Sequence, residues 1–192
     1  MKNASRRHGG EPADEVLLAA KRGSPQAFAE LIGRYDRRLR SLAFRLMEDR
    51  EAMQDVMQDA YLAAFRGLPA FRGESALQTW LFRIVYTTCL RHLARRRDDL
   101  TMVDYERMSS SSASDPADAV ALRQDVVAAL TGLPREQRAA VLLIDGEGFS
   151  YREAGQVLDV PPGTIASRLS HGRAALRLVL GLQGGEVSGD GS

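Results

Sequence analysis

The sequence predicts an all-α protein made of two small helical domains joined by a flexible linker. Three observations carry that expectation. Almost every apolar stretch repeats at helical spacing, the breaks between stretches hold helix-cap residues instead of hairpin turns, and a Ser- and acid-rich segment near the middle of the 192 residues separates two periodic halves. Hydrophobic residues make up 44% of the chain and charged residues 27%, which leaves enough apolar side chains for two modest cores.

The elements follow in order. A short helix is expected from about Asp14 to Arg22, closed by Gly23. Ser24-Pro25 then supplies an N-cap and a proline at the first helical position, where its missing N–H is not needed. One long helix should follow, with Phe28, Leu31, Ile32, Tyr35, Leu39, Leu42 and Leu46 on its apolar face, until Glu48-Asp49-Arg50 breaks it. The next runs from about Glu51 to Phe65 and stops at Gly67, before Leu68-Pro69. Ser75-Ala76-Leu77-Gln78 has the form of a capping box, in which Ser and Gln side chains satisfy backbone donors reciprocally, and opens a helix through about Arg97.

From Asp98 onward the periodicity fades into Ser109 to Ser112 and scattered acids, so residues 98–115 are expected as a flexible linker between domains at 14–97 and 116–183. Asp115-Pro116 starts a helix ending near Thr131-Gly132, and another runs from about Pro134 to Asp145. Residues 1–13 and 184–192 have the composition of disordered tails.

A second capping box, Ser150-Tyr151-Arg152-Glu153, opens a short helix to Leu158; after a turn, Pro161 or Pro162 begins another, giving a helix-turn-helix layout. Gly155 is small where the two helices must approach. On the second helix Ile165, Leu169, Gly172 and Leu176 share a narrow arc, while Gly163, Ser167, Ser170, His171 and Ala174 occupy the opposite one. Small and polar side chains on that outward arc, flanked by Arg168 and Arg173, suit a helix in a major groove: Ser167 and His171 at base edges, the arginines at phosphates.

Charge is balanced overall, 26 Lys and Arg against 25 Asp and Glu, so nucleic-acid binding has to be argued from local distribution. On the helix from Ser75, Arg83, Arg91, Arg95, Arg96 and Arg97 have no acid among them and form a positive stripe that displaces counterions from phosphates. The helix from Glu51 places Met53, Val56, Met57, Ala60 and Ala64 on a core arc and gathers Glu51, Asp55, Gln58, Asp59 and Leu62 on the other side, an acidic patch around a leucine that fits a protein-docking surface. Trp80 is placed in the core.

Several classes are disfavoured. Three distant histidines, with no H-E-x-x-H, G-x-x-x-x-G-K-[ST] or G-x-S-x-G pattern, argue against an enzyme, a metal site or a bound cofactor. The single cysteine, Cys89, cannot form an internal disulfide and is expected as a buried, inert thiol in a reducing cytoplasm. No apolar run approaches the roughly 20 residues of a membrane span.

The stretch SYREAGQVLDVPPGTIASRLSHGRAALR, preceded by LPREQRAAVLL, resembles the fourth domain of bacterial extracytoplasmic-function sigma factors. AFAELIGRYDRRLRSLAFRLMEDREAMQDVMQDAYLAAF, with FRGESALQTWLFRIVYTTCLRHLARRR, is similar to their second domain, and the order and spacing agree over roughly Asp14 to Leu180. The resemblance implies a non-enzymatic, cytoplasmic subunit of RNA polymerase without membrane insertion. Its partners would be core polymerase, held through the β′ clamp helices and the β flap, promoter DNA, and an anti-sigma factor. It assigns polymerase contact to Asp55, Gln58, Asp59 and Leu62. Minus-10 contact falls to Arg72, Gly73, Glu74 and Ser75, whose loop helps hold a flipped-out base, together with the arginines of the stripe. Minus-35 contact falls to Thr164, Ser167, Arg168, Ser170, His171 and Arg173. The chain departs from the family pattern at Thr87 and Arg91, where Asn and Asp are usual, at Ala166, usually basic, and at His171-Gly172-Arg173, usually Arg-Ala-Arg. The alternative is a helix-turn-helix regulator binding operator DNA as a dimer, which would need neither the acidic docking face nor the basic helix of the first half.

Overall fold

The computed structural model describes residues 14–100 and 119–181, with backbone alone at residue 14, 97–100 and 119–124. The expected tails, most of the linker, and residues 116–118 and 182–183 of the second domain lie outside the described residues. Helices α1 (Asp14–Lys21), α2 (Pro25–Gly33), α3 (Asp36–Met47) and α4 (Arg50–Gly67) are followed by a 3-10 turn, Leu68–Ala70, a loop, and the long α5 (Leu77–Leu100). In the second half α6 (Ala119–Thr131) and α7 (Arg135–Val141) lead into a π-helical turn, Leu142–Gly146, then α8 (Tyr151–Leu158) and α9 (Pro162–Val179).

Three helix starts, those of α2, α4 and α8, are capped by side chains among the described residues. Ser24 Oγ accepts from the Ala27 N–H at 3.3 Å, and Asp49 Oδ1 accepts from the N–H groups of Glu51 and Ala52 at 2.9 and 3.1 Å. The Ser150 box is complete: Glu153 N–H donates to Ser150 Oγ at 3.3 Å and Ser150 N–H to Glu153 Oε2 at 2.8 Å.

Two expectations need correction. The single long helix expected after Pro25 is two, because Gly33 ends α2 and the Tyr35 N–H closes onto Ile32 O at 2.8 Å, tightening the last turn. Asp36 then opens α3, its carboxylate accepting from Arg40 Nε at 2.9 and 3.1 Å and from the Tyr61 hydroxyl of α4. The break lets α2 lie along α1 while α3 crosses α4 and α5, which one straight helix could not do. The second correction concerns Ser75. The first helical carbonyl of α5 is that of Ala76, which accepts from the Trp80 N–H at 3.1 Å, so the flanking residue is Ala76 and, among the described residues, no capping box forms at Ser75.

The buried apolar residues of the two helical halves form one continuous cluster from Ala20 to Leu169. At the junction Phe82 of α5, fully buried, meets Phe149 edge-on with ring centroids 4.9 Å apart, and α5 packs along α8. Arg38 of α3 lies over the Phe82 ring and bonds to Glu147 Oε2 at 2.5 Å and Glu147 O at 3.0 Å. Arg138 of α7, its side chain 8% exposed, pairs with Glu48 and donates to the carbonyls of Arg45, Thr131 and Leu133 at 3.1, 2.5 and 3.1 Å. Glu48 is a non-glycine residue at φ 57, a conformation that costs about 1–2 kcal/mol, and what it gains is the place opposite Arg138.

Two glycines are dictated by close approach. A Cβ on Gly155 would stand 2.7 Å from Val160 O, in the turn between α8 and α9, and one on Gly172 would stand 2.9 Å from Val141 Cγ2, where α9 crosses α7.

Candidate functional site

Three surfaces carry the candidate residues. On α4, Val56, Met57, Ala60 and Ala64 are buried and Met53 half-buried, as their arc requires, and Glu51, Asp55, Gln58, Asp59 and Leu62 are all exposed. Leu62 is 47% exposed in the midst of this acidic face. Asp59 Oδ2 lies 2.8 Å from His92 Nε2 of α5, so one of the face's carboxylates is already anchored to the neighbouring helix.

The second surface surrounds the start of α5. The loop between the 3-10 turn and α5 turns at Gly73, φ 76, a left-handed conformation that suits glycine, and Lys21 Nζ holds the loop by donating to Phe71 O at 2.5 Å. Behind Gly73 opens a cavity of about 520 Å³ lined by Phe71, Arg72, Glu74, Ser75, Thr79, Trp80 and Arg83, with Gln156 of α8 at its edge. Four of the expected minus-10 residues, Arg72, Glu74, Ser75 and Arg83, are thus brought together. Trp80 is half-buried and stacks at a tilt on Phe71, centroids 5.2 Å apart, so it serves the core and the cavity wall at once.

The positive stripe of α5 is less continuous than the sequence suggests. Arg91 and Arg95 are exposed one turn apart, Arg91 bonding to Thr88 Oγ1 at 3.1 Å. Acids from other elements reach Arg83 and Arg96: Asp159, left-handed at φ 57 after α8, holds Arg83 at 3.0 Å, and Asp49 holds Arg96 at 2.9 Å. The Arg96 guanidinium, with the capped amides of α4, keeps the Asp49 carboxyl below the usual carboxylate range. Arg97 lies on α5, its side chain beyond the described ones.

The third surface is α9. Ile165, Leu169 and Gly172 are buried and Leu176 half-buried; Gly163, Ser167, Ser170, His171 and Ala174 are exposed, so packing fixes the outward face in the expected phase. Thr164 and Arg168 are half-buried at its margin. Ser167 Oγ donates to Thr164 O at 3.0 Å. Arg173 makes a forked pair with Asp145, 3.0 Å from Nε and 2.5 Å from Nη2, which raises its pKa and ties α9 to the π-helical turn. Asp145 in that turn thus meets α9, and Glu147 just after it meets Arg38 of α3.

Sequence reasoning missed Thr79, Gln156 and the four residues of the Arg38–Glu147 and Arg138–Glu48 pairs. Arg38 and Glu147 stand 109 positions apart, and nothing in either local pattern marks the other.

A sigma-70 region 2 family profile matches residues 31–98, and a sigma-70 region 4 profile matches residues 123–176. The ECF RNA polymerase sigma-E factor of Escherichia coli K12 is 33% identical over 176 residues, covering 85% of this chain and 92% of that protein. The ECF sigma factor SigM of Mycobacterium tuberculosis is 37% identical over 174 residues, covering 89% and 86%. Among solved structures, the sigma factor RpoE in complex with the anti-sigma factor NepR from Bartonella quintana matches with TM-score 0.67 and 28% identity over 83% of this chain and 99% of that one. CnrH, in complex with the cytosolic domain of CnrY, shares the fold with TM-score 0.65 over 88% and 97% of the two chains. With both halves matched in order and relatives aligned along nearly their whole length, this chain belongs to the extracytoplasmic-function RNA polymerase sigma factors.

Proposed function

We propose that the chain joins core RNA polymerase as a non-enzymatic, cytoplasmic promoter-recognition subunit, reading the minus-10 element with residues 14–97 and the minus-35 element with residues 116–183. The observation that carries the reading is the coexistence in one chain of an outward acidic face on α4 and a neutral outward face on α9, each with its opposite arc committed to the core. Asp55, Gln58, Asp59 and Leu62 dock on the β′ clamp helices, and the second half reaches the β flap. The cavity before α5 takes a base flipped from the minus-10 element, and the arginines of α5 follow the backbone. Ser167, Ser170 and His171, with Thr164 beside them, face base edges in the minus-35 major groove, while Arg168 and Arg173 anchor the helix. An anti-sigma factor, as in the complex of RpoE with NepR, is the expected regulator. No helix among the described residues is long and apolar enough to cross a membrane, in keeping with this role.

Run-off transcription tests the reading. Core enzyme plus the chain should start at defined sites that core alone does not use. Asp55→Arg with Gln58→Ala should abolish both transcription and co-purification with core while leaving the helical circular dichroism unchanged. Strong, dimer-dependent binding to duplex DNA without core would replace this reading by that of an operator-binding regulator.

A further inference from the structure

Thr79 is the one threonine of α5 whose hydroxyl is buried and unmatched. Thr87 Oγ1 donates to the carbonyls of Arg83 and Ile84 at 2.9 and 3.0 Å, and Thr88 Oγ1 donates to Ile84 O at 2.8 Å, the back-bond that satisfies a threonine inside a helix. Thr79 sits in the first turn of α5, is 2% exposed, and among the described residues its Oγ1 has no hydrogen-bond partner. An unmatched buried hydroxyl is destabilising and invites an explanation in function. The explanation lies beside it, since Thr79 lines the 520 Å³ cavity before α5.

The surroundings specify the ligand. The start of α5 has Ala76 as its flanking residue and so no side-chain cap, which leaves first-turn backbone donors and the positive end of the helix beside the cavity. Arg72 stands with the carboxylate of Glu74 at the rim, Arg83 is shared with Asp159, Phe71 and Trp80 supply aromatic wall, and Ser75 a second hydroxyl. Aromatic wall and hydrogen-bonding groups, with arginines within reach of a backbone phosphate, fit an unpaired nucleobase, the way proteins hold single-stranded DNA. We propose that Thr79 is a specificity-determining residue of this cavity, its hydroxyl turning about χ1 to hydrogen-bond the edge of the captured base. The proposal rests on the reading of the cavity as the minus-10 base site. A hydroxyl both donates and accepts, so it discriminates by demanding an edge within reach; a valine of the same shape offers none.

The test uses holoenzyme reconstituted from core polymerase and the full chain, and a fluorescent single-stranded oligonucleotide carrying the minus-10 sequence of a mapped start site. Each base is replaced in turn by an abasic residue, and the captured position by each of the other three bases. Thr79→Val should weaken the intact oligonucleotide about 3- to 10-fold, the range of one hydrogen bond, and flatten the ranking of the four bases. It should leave the affinity for the oligonucleotide abasic at that position unchanged, and Thr79→Ser should stay close to wild type. Thermal stability of Thr79→Val should be unchanged or raised, because an unmatched buried polar atom is removed; a merely structural threonine would show the reverse. If wild type depends on one base and Thr79→Val binds the whole series as wild type does, the assignment to Thr79 is overturned while the cavity reading stands. If no abasic replacement weakens wild type, the cavity does not capture a base and both readings fall.

Discussion

Ser150-Tyr151-Arg152-Glu153 at the head of α8 and Ser75-Ala76-Leu77-Gln78 at the head of α5 share the spacing of a capping box, and only the first forms one. At α8 every local device agrees with the global fold: the box fixes the start, Gly155 admits the next turn at close range, and Asp159 takes the left-handed exit. At α5 the loop held by Lys21 and turned at Gly73 delivers the chain one residue out of register for Ser75 to cap, and places Ser75 on the cavity wall. A sequence rule kept in one half and broken in the other separates a helix that must be rigid from a helix start left open to a ligand.

The comparison can be broken at its rigid end first. Gly155→Ala pushes a Cβ against the Val160 carbonyl, a backbone atom that cannot step aside, and should destabilise the chain by about 1–3 kcal/mol in urea denaturation. An unchanged midpoint would mean that the α8–α9 turn is loose. Next, Ser150→Ala should lower stability by about 1 kcal/mol, whereas Ser75→Ala should change it by less than about 0.5 kcal/mol and instead weaken minus-10 oligonucleotide binding. Equal stability losses would restore a cap to Ser75.

Ala76→Ser sharpens the contrast by offering α5 the cap it lacks. A gain of about 0.5 kcal/mol in stability, together with weaker binding of the same oligonucleotide as the new hydroxyl occupies first-turn donors, is expected. Improved binding would show that those donors are not used. The smallest effect belongs to Asp49. Asp49→Asn keeps a good cap but loses the pair with Arg96, about 0.3 kcal/mol for an exposed pair. Because the folded state lowers the Asp49 pKa, that difference should be present above the ordinary carboxylate range and disappear as pH falls through the lowered value. A difference persisting in strong acid would assign it to something other than the carboxylate.

Local features were the legible ones. The burial of Ile165, Leu169 and Gly172, the exposure of Ser167 and His171, and the two arcs of α4 followed from periodicity alone, because a helix repeats its faces whatever it packs against. The break at Arg34-Tyr35 was hidden because Leu31, Ile32, Tyr35, Leu39 and Leu42 keep helical phase across it; its cause is the separate seating of α2 on α1 and α3 on α5. Nor could spacing reveal Arg138 opposite Glu48, or Thr79 without a partner, since both depend on which distant segments come to rest nearby.

Cys89 turns the junction between the halves into something measurable. It is fully buried in α5, burial pushes its thiol up to about 12, and the charge of Arg135 from α7 falls on it from across the junction. Only thiolate reacts, so a thiol reagent at neutral pH should label this chain no faster than its packing opens. As the sole cysteine among 192 residues, it gives one signal without mutation. A labelling clock started with and without core polymerase would report how far engagement loosens α5 from the second half, in the native chain and in real time.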